Sequence, residues 1–178
     1  RLKKIEPDLV GDVDRIQTYV HFFERELVND TNMFLFDVEV DYDPNNDTVT
    51  ANGYVEYPQT KSTFQTMFLA LGFEKFVNNI EVLPDPELGD GIIGVVNTPN
   101  SLVYNNATEP RETMTDGVMG DKFFLLKEID GHYLAHAPEG YVCYIHADSV
   151  MRMTPEEYQK NFDTINFLVQ KPIEKEGM

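Results

Sequence analysis

Residues 131 to 150, GHYLAHAPEGYVCYIHADSV, hold three of the four histidines and the single cysteine of a 178-residue chain. A cysteine beside histidines is the equipment of thiolate chemistry, which needs a sulfur whose pKa is lowered by a positioned imidazole or a helix N-terminus. Cys143 instead lies between Val142 and Tyr144 in an alternating apolar stretch. Alternation puts it on the side of Tyr141 and Ile145, with Val142, Tyr144 and His146 on the other. Free cysteines are among the most buried residues, so a structural Cys143 is the expectation and a thiol hydrolase using it the residual alternative.

The same histidines could ligate zinc, because His132 and His136 share a strand face and His146 could arrive from a paired strand. Strand residues four apart are separated by roughly 13 Å, too far for one tetrahedral ion without a bend. DYDPNND, residues 41 to 47, offers Asp41, Asp43, Asn45 and Asp47 at alternate positions like the first half of a calcium loop. Its sixth position is Asn46 rather than Gly and its twelfth Asn52 rather than Glu. Pro44-Asn45-Asn46-Asp47 therefore reads as a hairpin turn, and no metal or other cofactor is expected. The remaining chemistry is recognition. Tyr104, His132, Tyr133, Tyr141 and Tyr144 are flat rings with polar tips, suited to lining a peptide or glycan groove, with barrel core as the competing role.

Regular elements must position these residues. Val13, Ile16, Val20, Phe23 and Leu27 recur at helical spacing behind Asp12 as a cap. MFLFDVEVDY alternates Phe34, Phe36, Val38 and Val40, and TVTANGYVEY alternates Val49, Ala51, Val55 and Tyr57, which predicts two half-buried strands. The period then changes. Phe64, Met67, Phe68 and Leu71 mark a helix stopped by Gly72, and Ile80 and Val82 mark a further strand. Strand, strand, helix, strand over 33 to 83 suits a small antiparallel sheet with helices on one face.

LPDPELGDG at 83 to 91 interrupts regular structure and is the expected domain junction. GVVN, SLVY, KFFLLKEI, HYLAHA and GYVCYI follow as short apolar runs separated by turn signals, the pattern of a small barrel. Thr154, Pro155, Glu156 and Glu157 open a C-terminal helix. The expected organisation is an α+β module over 1–86, an all-β barrel over 91–153, and a helix and tail over 154–178.

Composition excludes several classes. Fourteen Lys and Arg against 31 Asp and Glu give a formal charge of -17, a field that repels nucleic-acid phosphates and anionic lipid surfaces. No apolar run approaches the roughly 18 residues of a transmembrane helix. One cysteine cannot form an internal disulfide, which suits a cytosol and a thiol-poor envelope equally. A start at Arg1 leaves room for a removed leader.

The barrel segment resembles a bacterial SH3-like domain. Asp130-Gly131-His132-Tyr133-Leu134-Ala135 looks like its D/N-G-W-Y-x-V strand, and Gly140-Tyr141-Val142-Cys143-Tyr144-Ile145 like its G-Y-x-G-W-V strand. Over residues 80 to 158, IEVLPDPELG followed by the barrel and a short helix resembles the region before the catalytic domain of secreted NlpC-type cell-wall cysteine peptidases. Residues 33 to 83 resemble a BON-type module in pattern. His132 and Tyr144 stand where such barrels carry tryptophans, and no basic residue is evident around Ser101 to Asn105. No Asp-Cys-Ser-Gly nucleophile motif is present, so the resemblance implies a non-catalytic targeting region.

What the resemblance implies is a secreted or periplasmic envelope module that binds or positions peptidoglycan peptide. Its partner is then cell-wall peptide or another envelope protein, with no nucleic acid and an undetermined oligomeric state. The alternative is a scaffold whose barrel and sheet edges take another protein strand or self-associate.

Overall fold

The computed structural model describes residues 13–161, and the protein is mixed α+β with most of its regular structure in sheet. The described residues divide into two compact units. One runs to Pro86 and includes Glu139–Val142; the other comprises Glu87–Pro138 and resumes at Cys143. No helix among the described residues is long and apolar enough to cross a membrane.

The first unit contains α1 (Val13–Phe23), β1 (Phe36–Asp43), β2 (Thr48–Val55), α2 (Pro58–Leu71) and β3 (Lys75–Val82). The strands form one sheet in the order β1-β2-β3, with β1 antiparallel to β2. β3 pairs parallel to β2, Val49 opposite Phe76 and Val55 opposite Val82, which corrects the expectation of an antiparallel sheet. A parallel neighbour requires a crossover of about a dozen residues or more, and the 14-residue helix α2 supplies it.

Helix α2 begins with Pro58 at its N-terminus and ends at Gly72, whose φ of 104° only glycine adopts freely. Its last turn closes in a Schellman pattern, with Phe73 N donating to Phe68 O and Gly72 N to Leu69 O. Phe64 and Phe68 are fully buried and join Phe23, Phe36, Phe73 and Phe76 in an aromatic core over Val40, Val49, Ala51 and Val55. Phe23 meets Phe64 edge-on at 5.0 Å, and Phe64 meets Phe68 at 5.1 Å. Such pairs contribute about 0.5–1.5 kcal/mol beyond their area.

Three predicted core positions of this unit lie outside the core. After Phe23 the helix becomes a π-turn, Glu24–Val28, closed by Asn29 N on Glu24 O. The extra residue in that turn rotates the following side chains, so Val28 packs on the core and Leu27 is exposed. Phe34 precedes β1 and Tyr57 caps α2, and both are exposed. The expected cap Asp12 lies outside the described residues, as does the C-terminal helix beyond 161.

The second unit contains β4 (Ile93–Val96), β5 (Asn100–Tyr104), β6 (Thr113–Val118), β7 (Lys122–Ile129), β8 (His132–His136), β9 (Val142–His146) from Cys143 onward, and β10 (Val150–Met153). They form one sheet in the order β10-β4-β7-β8-β9-β5-β6. The β5–β6 end returns to the β4–β7 end: a β carbon on Gly117 of β6 would lie 3.2 Å from Val96 and 3.3 Å from Phe123. Val96 N and O bond to Asp121 O and Gly120 N beside it. The enclosed core is Val96, Val103, Phe123, Leu125, Tyr133, Ala135, Cys143, Ile145 and Val150.

Strands β6 and β10 were not expected. β6, TMTDGV, shows no apolar alternation because its one buried residue is Gly117, small enough for Val96 and Phe123 to close over it. The segment 155–161 is helical, and Thr154 and Glu157 cap it reciprocally: Glu157 N donates to Thr154 Oγ1 at 3.2 Å and Thr154 N to a Glu157 carboxylate oxygen at 2.9 Å.

Candidate functional site

Alternation along β8 and β9 sorts the residues of the opening stretch onto two faces. Cys143 and Ile145 point into the core with Tyr133 and Ala135, and Cys143 is 1% exposed with its Sγ 3.5 Å from Ala135 O. His132 and His146 lie on the outer face with their rings 4.9 Å apart. The thiol and these imidazoles are therefore on opposite sides of one sheet, which is no arrangement for a thiolate pair.

On that outer face Tyr104 of β5 is paired opposite Tyr144 of β9, and its ring meets His132 edge-on at 6.2 Å. The loop between β5 and β6 then folds back over the strands and delivers Arg111. Its guanidinium carbon sits 4.0 Å from the Tyr104 ring centroid, a cation–π contact. Its Nη1 is 2.9 Å from His132 Nε2 and donates to Ala107 O at 3.2 Å. Its Nε is 3.2 Å from a carboxylate oxygen of Glu109. The loop itself is fixed by Asn105, whose backbone N and side-chain oxygen bond to O and N of Glu112.

These contacts settle the form of His132. A guanidinium has only donors, so Nε2 accepts from Arg111. Nδ1 lies 3.0 Å from Asp130 O, a carbonyl that can only accept, so Nδ1 carries the proton. The imidazole is the Nδ1–H tautomer with both nitrogens engaged. With Nε2 accepting from Arg111 it has no lone pair left for a metal. Among the described residues no group of three His, Cys, Asp or Glu side chains is placed to hold a metal ion.

No family model, no curated protein and no solved structure matches the chain.

Of the five aromatic candidates, the structure brings together Tyr104, His132 and Tyr144. Tyr133 faces the other way because it follows His132 in a strand; it is buried in the core, and that burial, with Glu128 beside it, raises its phenol pKa. Tyr141 precedes β9 and is exposed. Arg111 and Glu109 were missed. Arg111 stands seven residues after Tyr104, in a loop with no periodicity, and only the folding back of that loop makes it a neighbour of His132.

The acidic turn is used internally. Asp43 accepts from Asn45 N at 2.9 Å and from the Asn46 side chain at 2.6 Å, and Tyr42 donates to Asp47 at 2.9 Å. Those bonds, the Asn45 backbone one first, hold the Asp43 carboxyl below its usual 3.8. The four residues 44–47 close the β1–β2 hairpin.

Proposed function

We propose that the chain is a non-catalytic cell-envelope module, a BON-like α+β unit followed by an SH3-like barrel, that binds or positions peptidoglycan peptide. The observation that carries this reading is the outer face of β5, β8 and β9. Tyr104 and Tyr144 are half-buried there, Arg111 is held between Tyr104 and His132, and His146 forms an exposed rim. Flat rings around a fixed guanidinium offer stacking and charged hydrogen bonds, which suit a short, stiff peptide with carboxylates and amides. The burial of Cys143 away from the histidines supports a role without covalent chemistry. The LPDPELG junction before the sheet supports the envelope setting through its resemblance to wall peptidases.

The test is a titration of the 15N-labelled chain with soluble muropeptides. Shifts concentrated at Tyr104, Arg111, His132 and Tyr144 are expected. A silent spectrum would transfer the function to protein scaffolding, a second reading with its own support. β6 is the last strand in the sheet order, and Leu102, Met114 and Val118 of the β5–β6 hairpin, with Met119 in the turn that follows, are exposed. Exposed apolar side chains grouped on one hairpin suit contact with another protein.

A further inference from the structure

The guanidinium of Arg111 is arranged as a recognition group with its ligand position already filled from within. Nη1 is committed inward to His132 and Ala107, and the Tyr104 ring supports the guanidinium from one side. The donors not committed to His132 and Ala107 are those of Nε and Nη2, the edge that meets a carboxylate in a forked pair. Glu109 meets it at Nε, at 3.2 Å, while its other carboxylate oxygen accepts from the Arg111 backbone N at 3.3 Å. The Glu109 side chain is 77% exposed against 23% for Arg111, so the acid is the solvated partner of the pair and the base the enclosed one.

Resting on the peptide-binding reading above, we infer that Arg111 is the anchor for a free carboxylate of the ligand and that Glu109 occupies the anchor until the ligand displaces it. His132 contributes the fixed back of the anchor. With both nitrogens bonded, it orients Nη1 and adds no charge of its own. Tyr144, opposite Tyr104, and His146, beside His132, flank the position where the rest of a peptide would lie. A carboxylate is the class favoured over a phosphate for two reasons. The group now in place is a carboxylate, and a chain of formal charge -17 repels a dianion more than a monoanion. An ion pair this exposed is weak, so an incoming carboxylate with additional ring contacts can replace Glu109.

The experiment uses the whole chain and one disaccharide-tetrapeptide muropeptide in two forms, with its carboxylates free and with them converted to carboxamides. Affinities are read from NMR titrations. The free form is expected to bind about tenfold more tightly, the scale of a hydrogen bond to a charged group. Glu109→Gln is expected to tighten the free form roughly two- to fivefold, the worth of an exposed pair, and to leave the carboxamide form unchanged. Arg111→Gln should remove the preference between forms, and Arg111→Lys, which keeps the charge without the fork, should retain part of it. Equal affinity of the two forms for the unaltered chain, with shifts still at Tyr104 and Tyr144, would overturn the anchor and leave the peptide reading standing. Absence of binding by both forms would overturn both. Because Glu109 lies at the surface, Glu109→Gln tests the displacement even if Arg111 variants fold poorly, and an unchanged affinity there would refute it. Inorganic phosphate binding this face more tightly than acetate would overturn the ligand class.

Discussion

At the scale of residues, the protein separates a thiol that looks reactive from the polar and aromatic groups gathered around Arg111. Cys143 has the composition of a nucleophile and the position of a core residue. Arg111 sits in an unpatterned loop and holds contacts to Tyr104, His132, Ala107 and Glu109. The acidic turn shows the same separation, because Asp43 spends its oxygens on Asn45 and Asn46. Its folded pKa lies below the usual 3.8, so the stability it adds is complete above that value and is lost as pH falls through the lower folded value. The unaltered chain should therefore exceed Asp43→Asn in urea resistance at neutral pH, and the difference should shrink as the pH is taken below 3.8. A difference that persists undiminished in acid would show that the carboxylate charge is not what stabilises the turn.

At the scale of elements, close backbone approach decides which strands can pair. Gly94 of β4 lies between β7 and β10, and a β carbon there would fall 2.6 Å from Val150 Cγ1 and 2.7 Å from Leu125 Cδ2. Both neighbours are buried side chains with little room to move. Gly94→Ala should cost about 1–3 kcal/mol, the usual penalty of overpacking, seen as a lower urea midpoint with an unchanged slope. A neutral outcome would mean that β10 shifts freely against β4. The corresponding device in the first unit is the helix α2, whose length permits β3 to lie parallel to β2 and whose Phe64 and Phe68 supply the aromatic core.

At the scale of the whole molecule, net charge weighs against polyanionic partners. A formal charge of -17 and a pI near 4.4 leave no general attraction for polyanions, and Arg111 acts locally against that field. A gel-shift titration with duplex DNA at about 0.05 M salt, where non-specific electrostatic binding is strong, should show no complex. Retention of DNA would mean that the few basic side chains are grouped on one surface strongly enough to outweigh the net charge. Each unit also has its own apolar core, built on Phe64 and Phe68 in the first and on Phe123, Leu125 and Ile145 in the second.

The sequence by itself determined what depends on period and on local backbone chemistry. The strands at Val38–Val40 and Val49–Val55, the helix carrying Phe64 and Phe68, its stop at Gly72, the turn at 44–47 and the inward side of Cys143 all follow from neighbours a few residues away. Tertiary structure alone decided the rest. Whether β3 runs parallel to β2 depends on where α2 lays the chain down, and β6 is invisible to alternation because its buried position is a glycine. Leu27 left the core because one π-turn changed the phase of the helix. The site was half legible: aromatic type marked Tyr104, His132 and Tyr144, but Arg111 reaches His132 across 21 residues of chain through a loop without period. No spacing encodes such a contact, since it exists only when three strands are paired and the loop between two of them folds back across their outer face.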